Sequence, residues 1–146
     1  MLSPSLEDYL EEIYRLSLIK SEIRVRDIAE KLKVSSPSVV KALRKLHNES
    51  YILYKRYEGI YLTQEGEKLG KLLVKRNSVL QEFLSVINSQ CDVEAEAEAM
   101  EHYLSSPTIL SIEKLVAFMK KDREILNKFL KFCGTEEKKH WSEELE

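Results

Sequence analysis

Residues 25–46 read VRDIAEKLKVSSPSVVKALRKL. Ile28, Ala29 and Leu32 recur at helical spacing, which predicts a short helix over residues 26–33. Val34-Ser35-Ser36-Pro37-Ser38 then interrupts and restarts the chain. A serine suits the cap, because its hydroxyl accepts a bond from an orphan backbone N–H. Proline suits the first helical position, where no N–H is needed. A second helix is therefore expected from about Pro37 to Glu49. Val39, Val40, Leu43 and Leu46 face inward, and Lys41, Arg44, Lys45 and His47 lie toward the other side.

Toward the N-terminus, Leu6, Tyr9, Leu10, Ile13 and Leu16 form an apolar stripe over residues 4–19, behind Ser3 as cap and Pro4. Toward the C-terminus, residues 52–63 (ILYKRYEGIYLT) are rich in β-branched and aromatic side chains, split by Tyr57-Glu58-Gly59. They read as a β-hairpin with Gly59 supplying the turn. Thr63 caps a long helix over residues 64–88. Another helix opens at Asp92 or Val93 and runs to about Leu104, where Ser105-Ser106-Pro107 ends it. Residues 109–120 and 122–133 read as two more amphipathic helices, with Gly134 where a helix C-cap is expected. The expected fold class is mainly α with a small β-hairpin wing: a winged helix-turn-helix domain followed by a helical domain.

Composition agrees. The chain has 146 residues, one domain or two small ones at roughly 150 residues per domain. Four glycines and three prolines are too few for a turn-rich all-β protein. No apolar run approaches the roughly 20 residues of a membrane span, so no membrane partner is expected. MLSPSLEDYLEEIY lacks the basic and apolar regions of a signal peptide, and Cys91 and Cys133 stand 42 residues apart. A reducing cytoplasm is the expected compartment.

The net charge of −2 conceals a polar layout: −3 over residues 1–19, +7 over 20–76 and −6 over 77–146. A basic segment in an acidic protein suggests a polyanion surface. In a helix-turn-helix the second helix enters the major groove of double-stranded DNA with its N-terminal residues facing base edges. Ser35, Ser36, Ser38, Lys41, Arg44 and Lys45 lie on that end and face, and Lys55, Arg56 and Tyr57 lie at the hairpin tip. Short hydroxyls permit close approach, lysine and arginine neutralise phosphates, and arginine also reads guanine. The plainer alternative is a solvated basic face. The ordered motif with its capping signals weighs against it.

A second constellation is acidic. Glu98, Glu101 and His102 stand at i, i+3 and i+4, hence on one helix face. Asp8 and Glu11 stand at i, i+3 on the polar side of the first helix. Four carboxylates and one imidazole can form a divalent-cation site if the two helices meet. Such oxygen-dominated ligation favours a hard ion such as Mn²⁺ over Zn²⁺ or Cu²⁺. Taken alone, an acidic helix face is more often merely solvated, and Asp8 and Glu11 also suit a helix N-terminus.

PSLEDYLEEIY, VRDIAEKLKVSSPSVVKALRKL, YEGIYLTQEGEKLGKLLVKR and EAMEHYLS, in this order, span about residues 4–132. On these stretches the chain resembles the iron-dependent, diphtheria-toxin-repressor-like metalloregulators, and within them the manganese transport regulator branch. The resemblance implies a winged-helix DNA-binding domain over 1–63, a linker helix over 64–90 and a helical metal-binding and dimerisation domain over 91–146. It implies a metal site of Asp8, Glu11, Glu98, Glu101 and His102, with Mn²⁺ as the first expectation, Fe²⁺ the second and other divalent transition metals binding in vitro. One position departs from the family. Asn77 stands where a histidine would help bind a second ion, with Gln81 and Glu94 as candidates to compensate.

The implied function is a homodimeric, metal-dependent repressor that binds a DNA operator and controls metal-uptake genes. The alternative is a winged-helix regulator answering an organic ligand or cysteine oxidation. An enzyme is not expected, because a helical di-metal enzyme wants ExxH motifs on two helices and only one histidine stands near the cluster. His47 and His140 have no ligand-spaced partners, and read as a surface residue near DNA and a tail residue.

Overall fold

A computed structural model describes residues 2–136. The chain divides into two units, Met1–Lys75 and Arg76–Glu146, with the boundary inside one long helix. His140 and the charged tail lie outside the described residues.

The first unit opens on helix α1 (Pro4–Ile19), where Ser3 Oγ accepts the Leu6 N–H at 3.4 Å and Pro4 takes the first turn. Helix α2 (Val25–Leu32) starts where the Asp27 carboxylate accepts the Arg24 N–H at 2.9 Å and Lys20 Nζ at 2.7 Å. It ends at Lys33, which turns left-handed with φ 54°. Helix α3 (Ser36–Asn48) begins with Ser35 Oγ accepting the Ser38 N–H at 3.3 Å, as the serine-proline signal predicts. One core joins α1, α2, α3, the hairpin and the start of the long helix. Leu10, Ile13, Ile28, Val39, Leu43, Leu46 and Ile52 are fully buried in it.

Strands β1 (Ile52–Lys55) and β2 (Gly59–Leu62) pair antiparallel, Ile52 opposite Leu62 and Lys55 opposite Gly59. Gly59 has φ 103°, as expected of the turn glycine, but Tyr57 is left-handed too, with φ 71°. The Glu58 N–H donates to the Lys55 carbonyl at 3.0 Å. A four-residue turn with positive φ at its third position normally takes glycine or asparagine, so a bulky ring here is strained.

Thr63 locks the root of the hairpin. Its hydroxyl donates to the Ser50 and Tyr51 carbonyls at 2.6 and 3.0 Å and accepts the Gly66 N–H at 3.1 Å. That starts helix α4 (Gln64–Val86). A Cβ at Gly66 would lie 1.8 Å from the Tyr51 carbonyl oxygen, so only glycine allows this approach.

In the second unit, Leu80 and Leu84 of α4 pack with Ala97 of helix α5 (Val93–Glu101), flanked by Phe83, Val93 and Met100. Asp92 caps α5, its Oδ1 accepting the Ala95 N–H at 3.2 Å. Three boundaries differ from expectation. Helix α5 stops at Glu101 rather than near Leu104. Ser105-Ser106-Pro107 does not end it but starts helix α6 (Ser106–Lys121), with Ser105 as cap and proline in the first turn. Proline cannot continue a helix yet fits its opening turn, so one tripeptide suits both roles. Helix α7 (Arg123–Glu136) runs through Gly134 instead of ending there. Among the described residues nothing lies within 4 Å of a Cβ at Gly134. Its only penalty is glycine's helix cost of about 1 kcal/mol, which one residue does not turn into a stop. Among the described residues no helix is long and apolar enough to cross a membrane.

Candidate nucleic-acid interface and metal-ligand residues

The basic surface belongs to the first unit. Ser35, Ser36 and Ser38 stand at the N-terminus of α3 and are exposed, and the Ser35 and Ser38 hydroxyls pair at 2.8 Å. Lys41, Arg44 and Lys45 are exposed along the next two turns. Between this face and the hairpin lies an open groove of about 580 Å³, walled by Lys41, Arg44, Lys45 and Asn48 on α3 and by Tyr54 and Arg56 on the wing. At the tip, Tyr57 is 92% exposed and the Arg56 guanidinium stands 5.2 Å from its ring centre. Lys55 is exposed too, 3.7 Å from Glu58. A helix end rich in hydroxyls beside a cationic groove can hold a phosphate backbone and present donors to base edges.

Four groove-lining residues escaped the sequence reading: Pro37, Asn48, Tyr54 and Val40, which is half-buried at the groove instead of facing the core as expected. Asn48 follows Arg44 by one turn, so helical spacing could have placed it on this face. Tyr54 reaches the groove from β1, which only the folded hairpin shows.

The candidate metal ligands fall in both units. On α1, Asp8 is half-buried, and Glu11 holds Arg15, with Nη2 at 2.7 Å and Nε at 3.3 Å from one carboxylate oxygen. The neighbouring Glu12 carboxyl is pushed above the usual range by burial. Lys31 and Arg15 oppose that shift, and Glu11 adds to it.

In the second unit Glu101 is buried at 2% exposure, and its Oε1 lies 3.7 Å from His102 Nε2. His102 caps α5 with still-helical dihedrals (φ −82°, ψ −16°), so the i+3, i+4 relation to Glu98 survives the early end of the helix. Glu98 and Glu94 are exposed. Asn77 is buried at 7% exposure, and its Oδ1 accepts Gln81 Nε2 at 2.7 Å. A shielded carboxylate beside an imidazole suits a divalent cation, since burying the negative charge is costly without a positive partner.

The chain is similar to known proteins over nearly all of its length. Residues 1–60 match the N-terminal DNA-binding domain of the iron-dependent repressors, and residues 63–130 match their metal-binding and dimerisation domain. It is 42% identical over 129 residues to the HTH-type transcriptional regulator MntR of Lysinibacillus sphaericus, covering 88% of this chain and 93% of that one. The MntR of Bacillus subtilis is likewise 42% identical, over 123 residues, with 84% and 87% covered. Among solved structures, that of the manganese regulator SloR superposes with a TM-score of 0.70 at 31% identity, over 80% of this chain and 55% of that one. The chain thus spans about half the length of that structure. With a winged helix-turn-helix matched by the first domain and a helical unit by the second, the chain belongs to the iron-dependent repressor family and is a metal-dependent, DNA-binding transcriptional repressor.

Proposed function

We propose that this repressor answers Mn²⁺ and, as a homodimer in the cytoplasm, controls genes for metal uptake. The observation that carries the reading is the buried Glu101 carboxylate with His102 Nε2 at 3.7 Å, inside the family's metal-binding domain. The likeness to the manganese regulator SloR supports manganese. So does the donor set of Asp8, Glu11, Glu98, Glu101 and His102, which is rich in hard oxygen and free of sulfur. Fe²⁺ is the second candidate. The proposed division remains 1–63 for DNA binding, 64–90 for the linker helix and 91–146 for metal binding and dimerisation.

A bound divalent ion supplies two positive charges among these carboxylates. Asp8 and Glu11 come from the DNA-binding unit, and Glu98, Glu101 and His102 from the dimerisation unit. By linkage, operator DNA raises metal affinity by the factor with which metal raises operator affinity. A switch from 1:99 to 99:1 needs about 5.5 kcal/mol of differential binding. On the DNA side, Ser35, Ser36, Ser38, Lys41, Arg44 and Lys45 face the major groove, and Lys55, Arg56 and Tyr57 meet the backbone or the minor groove beside it.

A second ion is not part of the proposal. Gln81 Nε2 donates to Asn77 Oδ1 at 2.7 Å, which takes one of the two lone pairs of the amide oxygen that would serve such an ion.

Calorimetric titration of metal-free protein with Mn²⁺, beside anaerobic Fe²⁺, Co²⁺ and Zn²⁺, tests the reading. One ion per chain, lost in Glu101→Ala, is expected. No saturable binding by folded protein overturns metal sensing through these residues.

A further inference from the structure

His47 stands in the last turn of α3, where the sequence suggests a plain surface residue. It is half-buried instead, and its Nδ1 accepts the backbone N–H of Tyr54 at 3.2 Å. A backbone N–H can only donate, so Nδ1 carries the lone pair and the ring proton sits on Nε2. The bond satisfies an amide on a strand that has a strand partner on one side only. An edge strand leaves such groups open unless something covers them.

The bond also joins the two walls of the basic groove. Nearer the root, the Tyr51 N–H donates to the Leu46 carbonyl at 3.0 Å. That bond pins the start of the wing to α3, and Ile52 and Ile60 anchor the strands in the shared core. Tyr54 lies three residues farther along, about 10 Å at strand rise. Its bond to His47 adds a polar tie between α3 and the outer part of the wing, beyond the apolar anchor. Arg56 and the strained Tyr57 follow directly.

We infer that His47 is a positioning residue for operator binding. By accepting the Tyr54 N–H it holds the wing at one opening from α3. Lys55 and Arg56 then meet phosphates while Lys41, Arg44 and Lys45 engage the groove. The inference rests on the DNA-binding activity and not on the identity of the metal.

The test uses the full Mn²⁺-loaded protein and a short duplex that the wild type selects from random-sequence DNA. Affinity is followed by fluorescence anisotropy across a salt series. His47→Ala and His47→Leu should weaken binding about three- to tenfold, the worth of one hydrogen bond. They should also flatten the slope of log K against log salt by about one, as a wing phosphate contact is lost. His47→Asn, whose Oδ1 can stand where Nδ1 stood, should restore both. Mn²⁺ affinity without DNA should stay unchanged in all three. If His47→Ala does not fold, the leucine and asparagine variants carry the test. Leucine binding within twofold of wild type at unchanged slope overturns the proposal. So does asparagine behaving like leucine, or affinity falling with the slope intact.

Discussion

In the first unit, Leu10, Ile13, Ile28, Leu43, Leu46 and Ile52 are shielded from water in one core. In the second, the buried apolar residues among those described are Leu80, Leu84, Ala97, Ile109 and Val116, while Leu110, Leu115, Phe118 and Phe132 stay about half exposed or more. The contrast separates two ways of using apolar residues. The DNA-reading unit builds the larger core, although Leu18, Ile19, Leu53 and Leu72 stand exposed on it as well. The dimerisation unit keeps a surplus outside, which a second copy can cover.

Glycine substitutions break the comparison most sharply. Gly66→Ala places a methyl against the Tyr51 carbonyl and should destabilise the first unit by about 3 kcal/mol or more. Gly134→Ala meets nothing among the described residues and should stabilise the second by up to about 1 kcal/mol. Urea melts of both variants give the two signs, and equal effects would erase the distinction.

The metal response comes next. Glu101→Gln keeps the volume of a buried side chain but removes its charge. Mn²⁺ should then enhance operator binding at least about 100-fold less than in wild type, some 2.7 kcal/mol. Anisotropy with and without Mn²⁺ measures this, and an undiminished response would remove Glu101 from the ligand set.

The two Ser-Ser-Pro starts offer a finer contrast. Ser35 caps α3 through its hydroxyl, so Ser35→Ala should cost about 1 kcal/mol. Ser105 makes no cap bond to a backbone N–H, so Ser105→Ala should cost clearly less by thermal melt. Smaller still is the part of Arg15, which holds Glu11 at 2.7 Å. Arg15→Gln frees that carboxylate and should tighten Mn²⁺ binding about two- to fivefold, as for an exposed helix ion pair. Calorimetry reads the change, and weaker binding would contradict it.

Acid sensitivity is the smallest effect. The hydrogen bond from Lys20, with help from the Arg24 amide, holds the Asp27 carboxyl below its ordinary value of 3.8. A depressed carboxyl adds stability that is complete above the unfolded value and fades as pH falls through the folded one. Glu12 has the opposite sign. Burial raises its carboxyl, so its ionisation costs stability as pH rises past 4.5. Lys20→Ala should lessen the loss of stability below pH 3.8, and urea melts from pH 2 to 5 would show it.

Much of the first unit was legible because its signals are local. Ser35-Ser36-Pro37 starts α3, and helical spacing places Leu43 and Leu46 inside. The same grammar misled at Ser105-Ser106-Pro107, since serine and proline mark a helix boundary without saying on which side the helix lies. Gly134 misled for a related reason: glycine permits a stop, and the surroundings decide whether one occurs.

The sequence by itself determined the element order, the basic reading head, the spacing of Glu98, Glu101 and His102, and the departure at Asn77. Periodicity, capping chemistry and charge act over a few residues and can be read along the chain. Only the tertiary structure decided that Glu101 is buried while Glu98 is not, that Asn77 Oδ1 accepts from Gln81 Nε2, and that His47 takes the Tyr54 amide. Burial depends on what packs against a side chain, and a hydrogen bond on an atom brought within about 3 Å. Neither is written in the spacing of the residues themselves.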